Sequence, residues 1–191
     1  MDAQTCERKL SLLREPRMLP LTEYTDDLAR RTNRVIPFFD PEDGGTQAEL
    51  LLLMSHVDGD PGSARNGSPF ISMENEDPTA NNLQRVILDL GLPRSTLLLW
   101  NVVPWQDGDP KKEAGVGAIH LPRLIQRLPN LRGIAVLSKE GSVVKSVREE
   151  VPSRYRLEWT YTFSPGPRGY AHNGARLTQD LQNIARKLSL L

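Results

Sequence analysis

The chain alternates short, continuous apolar runs with longer segments in which apolar residues recur every three or four positions. Four runs indicate β-strands, at residues 49–57, 97–105, 133–138 and 156–163. Continuous runs with β-branched and aromatic residues are typical of strands buried on both faces. We expect the run at 97–105 to be the buried central strand. Pro104 should end its pairing, because proline cannot donate to a β-ladder.

Amphipathic segments between and beside these runs predict helices. They lie at residues 4–14, 22–34, 79–90, 118–128, 142–150 and 173–190. Thr79 is the predicted N-cap of the third helix, and Gly91 fits the position after its last residue. Residues 107–117 form a charged insertion with glycines, which we expect to be mobile.

Strands that alternate with helices imply right-handed crossovers and a mostly parallel sheet between helical layers. The predicted fold class is therefore α/β, a three-layer α/β/α arrangement around four strands. A chain of 191 residues suits one domain. Residues 1–45 are expected to be a helical lead-in packed on the sheet.

Each apolar run is followed by polar and turn residues at its carboxyl end. In an open parallel sheet, ligands bind at this edge. The predicted pocket is framed by Asp58, Asp60, Asn101 and Ser164. Asn101 either reads a base there or merely caps its strand, and its position alone leaves both open.

Charge and cysteine content narrow the classes of function. The chain has 24 basic and 24 acidic residues, but residues 1–90 carry a net charge of −7 and residues 91–191 carry +7. A basic C-terminal half can track a phosphate backbone, although charge alone favours a dipolar soluble protein. The single cysteine, Cys6, excludes intramolecular disulfides and four-cysteine iron–sulfur or zinc sites. Without an apolar leader or a membrane-length run, we expect a cytoplasmic protein.

A long loop at residues 58–78 follows the first strand. It is rich in Gly, Ser, Asn, Asp and Pro, with one apolar patch at residues 69–71. Loops of this length in compact domains are usually functional. Phe70 is either a hydrophobic anchor that pins the loop or a ring offered to a planar ligand.

Four motifs resemble, in order and spacing, those of the uracil-DNA glycosylase superfamily. They are Asp-Pro-Gly at 60–62, Pro-Phe-Ile-Ser at 69–72, Leu-Trp-Asn-Val-Val-Pro at 99–104 and Ser-Pro-Gly-Pro at 164–167. The resemblance covers roughly residues 49–190, and the block from Phe70 to Trp105 looks closest to bacterial glycosylase-like proteins. It implies a four-stranded parallel sheet with helices on both sides and excision of a flipped base.

The resemblance also implies a role for each matched residue. Phe70 would stack on the extruded base, and Asn101 would pair with the N3–H and O4 edge of uracil. Asp60 would stabilise positive charge on the sugar and orient a water, with Asp58 as a spare. Gly62 stands where classical members carry a tyrosine that excludes thymine, which implies a broader specificity.

The segment after the last strand departs from the family pattern. Ser164 takes the place of a histidine that stabilises charge on the departing base. A serine can donate one hydrogen bond but carries no positive charge, so leaving-group stabilisation is weaker unless backbone N–H groups supply it. We expect residues 164–173 to be a DNA-contacting loop without regular structure. Its DNA-facing residues are Pro165, Gly166, Arg168 (to phosphate), Tyr170 (into the gap left by the base) and His172. The alternative is an exposed crossover loop whose tyrosine packs onto the last helix and whose histidine is a surface residue.

Taken together, these features predict a monofunctional DNA glycosylase that acts on uracil or a related deaminated base. The expected partner is damaged DNA in the bacterial nucleoid, and a monomer without metal or other cofactor is expected. The alternative is a superfamily relative with weakened catalysis that serves as a nucleic-acid or base-binding module. An unrelated α/β hydrolase is disfavoured, because the chain has no G-x-S-x-G motif.

Overall fold

This computed structural model describes residues 1–57, 68–106 and 108–191. Within those ranges the chain forms seven α-helices and six β-strands. In order they are α1 (Ala3–Leu12), α2 (Leu19–Thr32), β1 (Phe38–Phe39), β2 (Leu50–His56), β3 (Phe70–Ile71), α3 (Pro78–Leu90), β4 (Leu97–Val103), α4 (Pro110–Ala118), α5 (Leu121–Ile125), β5 (Gly133–Leu137), α6 (Gly141–Glu150), β6 (Glu158–Thr162) and α7 (Pro167–Lys187).

The main sheet has the strand order β4-β2-β5-β6, and every neighbouring pair is parallel. The predicted four-stranded sheet is thus confirmed, but β4 is an outermost strand rather than the central one. All seven of its residues are nevertheless buried. The two-stranded sheet of β1 and β3 and helix α2 cover it: the Phe39 ring stacks on Trp100 at 3.9 Å between centroids, and Tyr24 meets the same indole edge-on. An apolar run therefore indicated burial correctly and position wrongly.

The strand register aligns one row of side chains near the carboxyl edge of the sheet. Asn101 pairs with Met54, and Leu137 pairs with Thr162. The register of β2 with β5 puts Met54 next in line with Leu137. Because paired residues in neighbouring strands point to the same face, these four side chains share one face of the sheet.

Helices cover both faces, which gives the predicted three layers. A Cβ added to Gly133 would lie 2.8 Å from Leu188 Cδ1 and 3.3 Å from Ile184 Cδ1, so the face with the Asn101 row is the one that α7 covers. On the opposite face, Gly117 of α4 approaches the Val102 carbonyl so closely that a Cβ would collide with it. The α/β/α architecture follows from these two contacts.

The predicted mobile insertion at residues 107–117 is instead largely helix α4. Asp109 caps its first turn, and the Glu113 carboxylate accepts hydrogen bonds from Asp109 N at 2.9 Å and Trp105 Nε1 at 3.2 Å. These bonds fasten the segment to the end of β4. Asp107 lies outside the described residues, and the helix predicted at 118–128 is reduced to α5.

Helix α3 begins earlier than predicted. Its N-cap is Asp77, whose Oδ1 accepts from Ala80 N at 2.9 Å, and Thr79 lies inside the first turn. Gly91 ends the helix at φ 66°, the left-handed conformation that glycine adopts without strain. The predicted end is therefore correct and the predicted cap is wrong.

The prediction of a loop at residues 164–173 is wrong for most of the segment, because α7 starts at Pro167. Proline is favourable in the first turn of a helix, where its missing N–H has no partner to lose. Gly169 permits the close approach of this turn to β6, since a Cβ there would lie 2.5 Å from the Ser164 carbonyl oxygen.

A buried ionic cluster joins the N-terminal segment to the sheet. Lys9 Nζ lies 2.6 Å from Asp40 Oδ2 and 2.7 Å from Glu74 Oε2. Arg94, just before β4, contacts the same two carboxylates and lies 2.7 Å from Asp43 Oδ1 through Nε. The side chains of Lys9 and Asp40 are completely buried. These ion pairs attach α1 and residues 40–43 to the start of β4.

Asp43 should make the stability of the protein depend on pH. Burial, reinforced by Asp40, raises the pKa of Asp43 to about 7 against the opposing effect of Arg94. The folded chain then holds this proton more tightly than the unfolded chain, so the free energy of unfolding falls as pH rises from about 4 to about 7. We expect Asp43→Asn to remove this decrease, which amounts to at most about 4 kcal/mol.

Urea unfolding at pH 5 and pH 7.5 measures the effect. The exposed Asp89 on α3 offers a matched control, and Asp89→Asn should leave the difference between the two pH values as in the parent protein. An undiminished difference in Asp43→Asn would assign the pH dependence to other groups.

Candidate functional site

Asn101 is the central feature of the carboxyl edge. Its side chain is 1% exposed, and its Oδ1 has no hydrogen-bond partner in the part of the chain that the structure describes. A buried acceptor left unpaired costs about 1–3 kcal/mol. Its free acceptor is a group that a ligand donor can satisfy, whereas a strand cap would have used it.

Thr162 provides a second unpaired polar atom in the same row. It is fully buried, and its Oγ1 has no partner among the described residues. Three strand spacings, about 14 Å, separate it from Asn101 across the sheet. The two outer strands of the sheet therefore each present an unsatisfied group to the α3 and α7 side.

The turn after β6 is tied to the start of α3. Ser164 Oγ accepts from Gly166 N at 3.0 Å, and the Pro165 carbonyl accepts from Asn82 Nδ2 at 2.9 Å. A Cβ added to Gly166 would lie 3.7 Å from Thr79 Oγ1. These contacts carry the turn across the carboxyl edge on the same side as Asn101.

Phe70 is a buried residue of β3. Its ring is 1% exposed and lies 6.5 Å from the Phe38 ring, tilted by 49°. Its amide donates to Ser68 Oγ, and its carbonyl accepts from Asn75 Nδ2. The anchor alternative accounts for this burial, and stacking on a base stays a prediction.

The remaining residues predicted after the first strand cannot be placed. Asp58, Asp60 and Gly62 all lie outside the described residues. They follow β2, which ends at the carboxyl edge of the sheet, and they precede β3 in the sequence.

Of the residues predicted to contact DNA, Arg168, Tyr170 and His172 lie on the first turns of α7, whereas Gly166 is its N-cap and Pro165 is buried in the turn before it. Arg168 and His172 are exposed, and Tyr170 is half-buried. The Tyr170 ring passes 3.2 Å from where a Cβ on Gly174 would lie, so it packs along its own helix. This placement agrees with the alternative of a tyrosine packed on the last helix.

Two residues of this edge were missed in the sequence. His56 ends β2 and pairs with Val103, so it shares the face of Asn101, and its Nδ1 lies 2.8 Å from Ser55 Oγ. The signal was present, because His56, like Asn101, is a polar residue near the carboxyl end of an apolar run. Thr162 gave no signal, since threonine is common in strands.

The comparisons with known proteins leave the family assignment open. No protein-family model matches this chain, and no curated protein sequence is significantly similar to it. The uracil-DNA glycosylase resemblance therefore stays a prediction from four short motifs.

Neither a clustered metal site nor a membrane-spanning helix is present in the described part of the chain. Among residues 1–57, 68–106 and 108–191, no group of three or more His, Cys, Asp or Glu side chains is arranged to hold a metal ion. Over the same ranges, no helix is both long enough and apolar enough to cross a membrane.

Thr162 allows a direct test of whether its Oγ1 lacks a hydrogen-bond partner. We expect Thr162→Val to raise the free energy of unfolding by about 1 kcal/mol, because valine keeps the shape and removes an unsatisfied hydroxyl. Thr160→Val, on the same strand and half-buried, should change it by less than about 0.5 kcal/mol. Denaturant unfolding measures both, and a destabilised Thr162→Val would mean that the hydroxyl has a partner.

Proposed function

We propose that this protein is a DNA glycosylase that hydrolyses the N-glycosidic bond of uracil or a related deaminated base. The observation that carries the proposal is the buried Asn101 carboxamide at the carboxyl edge of a parallel sheet, whose Oδ1 has no partner in the described part of the chain. Ligands bind at this edge in open α/β sheets.

The carboxamide suits the pairing edge of uracil. Its oxygen accepts from N3–H, and its amino group donates to O4. Cytosine has an acceptor at N3 and a donor at C4. In the same orientation, the Asn101 oxygen would face an acceptor and the Asn101 amino group would face a donor, so neither hydrogen bond could form. In a buried site each mismatch leaves polar groups unpaired, at about 1–3 kcal/mol per group.

Different residues would assist hydrolysis on the sugar side and on the leaving-group side of the bond. Asp60, or Asp58 in its place, orients a water that attacks the sugar carbon as the bond to the base breaks. The bonding electrons leave with the base, and the carboxylate stabilises the positive charge that develops on the sugar. Phe70 stacks on the base, and Gly62 leaves space for a larger pyrimidine.

Ser164 and the start of α7 replace the missing histidine on the leaving-group side. The hydroxyl can donate one hydrogen bond, and a helix N-terminus carries about half a positive charge. Arg168 and His172 are exposed on the first turns of α7 and face the DNA, where Arg168 contacts a phosphate. The helix N-terminus and Arg168 supply the positive charge that a neutral serine lacks.

A base-binding module with weak catalysis is the second candidate. It is favoured by Ser164, which is uncharged and already accepts a hydrogen bond from Gly166 N. Such a module would bind uracil-containing DNA and leave the base attached.

Asn101 should decide selectivity. We expect Asn101→Ala to reduce excision of uracil at least about tenfold, because the pairing contacts are lost, and Asn101→Asp to lose the preference for uracil over cytosine. Incubation with a uracil-containing oligonucleotide, followed by alkali to cleave abasic sites, measures both. Asn183→Asp, at an exposed position of α7, is the matched control. Parental excision by Asn101→Ala would remove Asn101 from the pocket.

Asp60 should be the water-positioning carboxylate. We expect Asp60→Asn to slow base release by about two orders of magnitude or more while binding of uracil-containing DNA stays close to that of the parent protein. If Asp58→Asn shows this loss and Asp60→Asn does not, the role belongs to Asp58. A fully active double variant would exclude a carboxylate mechanism, and binding without release in the parent protein would favour the binding module.

A further inference from the structure

The outer edge of β6 carries a row of aromatic rings. Trp159 and Tyr161 are half-buried and stack with 5.8 Å between ring centroids and an interplanar angle of 7°. Phe163, also half-buried, follows two residues later. Since β6 ends the main sheet at the side opposite β4, these rings lie along an outer strand.

Exposed cations accompany the rings. Arg148 Cζ lies 4.4 Å from the Tyr161 centroid, and Lys139 Nζ lies 5.1 Å from the Phe163 centroid. Lys139 Nζ also donates to the Tyr161 carbonyl at 2.7 Å. Lys145 joins Lys139, Arg148 and Tyr161 around a surface groove of about 540 Å³ between α6 and β6.

The charge of the groove is positive. Its one lining carboxylate, Glu149, lies 3.8 Å from Lys145, and both side chains are mostly exposed. The groove is therefore lined by three cations and one anion. The exposed pair of Lys145 and Glu149 is weak, so it leaves Lys145 able to bind another anion. Charged residues also protect an edge strand from pairing with other chains, but that role does not require stacked rings beside the cations.

We propose that this edge, defined by Trp159, Tyr161, Lys139, Lys145 and Arg148, binds single-stranded nucleic acid without sequence preference. Bases stack on the exposed parts of the two rings, and phosphates pair with the three cations. Lys139 lies two residues after β5 and Phe163 one residue after β6, so the bound strand runs towards the carboxyl edge of the sheet. The surface lies beyond the Asn101 pocket, and it would stand even if no base were excised.

Trp159 supplies a local probe of binding. The chain has three tryptophans, and Trp100 and Trp105 are each 1% exposed, which leaves Trp159 as the accessible indole. A uracil-free oligodeoxythymidine should quench its fluorescence on stacking. Anisotropy of the same oligonucleotide, labelled with a dye, gives the affinity over a series of salt concentrations. Trp159→Phe should lose the quenching and keep the anisotropy change.

Three variants separate stacking from charge. We expect Tyr161→Leu to weaken binding at least about fivefold, because leucine preserves apolar contact and removes the ring. Arg148→Gln should reduce the slope of log affinity against log salt by about 0.7, the value for one phosphate contact on a single strand. Arg30→Gln, at an exposed cation on α2, should change neither.

Several outcomes would overturn the proposal. They are the absence of quenching, parental binding by both Tyr161→Leu and Arg148→Gln, or an equal loss in Arg30→Gln. If the oligonucleotide fails to bind and the protein sediments as a dimer that Tyr161→Leu dissociates, the edge is a contact between copies of this chain. Because the probe contains no uracil, its binding reports on this surface and not on the proposed excision site.

Discussion

Lys9 and Arg94 together hold Asp40, Asp43 and Glu74 in the interior, and the position of the outermost strand β4 depends on these contacts. Buried carboxylates are costly unless cations and hydrogen bonds compensate them. The cluster attaches α1 and the segment after β1 to Arg94, just before β4. The cluster thereby attaches the segments next to β1, β3 and α2, which cover the outer side of β4, so the strand is completely buried although no main-sheet neighbour covers that side.

Burial of β4 also determines the environment of the polar residues at its carboxyl edge. Asn101, near the carboxyl end of β4, is removed from water, and its Oδ1 has no partner among residues 1–57, 68–106 and 108–191. A polar group in such an environment discriminates strongly between ligands, since an unmatched partner leaves both groups unpaired. The same edge carries His56, Thr162 and the turn at Ser164, so its polar character is distributed over three strands and not confined to one loop.

The two proposed surfaces use the two faces of one sheet. In the alternation of β6, Thr162 points to the face covered by α7, and Tyr161 and Trp159 point to the face covered by α6. Base recognition would rely on buried, unpaired groups, whereas strand binding would rely on exposed rings and cations. The first depends on exclusion of water and the second on ionic strength, so they can be changed independently.

The sequence by itself determined the four strands of the main sheet, the parallel α/β class and the delivery of Asn101 and Ser164 to one edge, because hydrophobic period and turn residues are local properties. It did not indicate β1 or β3. It left the outer position of β4 undetermined, since burial by β1 and β3 produces the same apolar run as burial inside a sheet. The start of α7 depended on the fit of Gly169 against Ser164, and the burial of Lys9 depended on carboxylates 31 or more residues away. Only the tertiary structure decides such contacts, because they join residues that no local pattern relates.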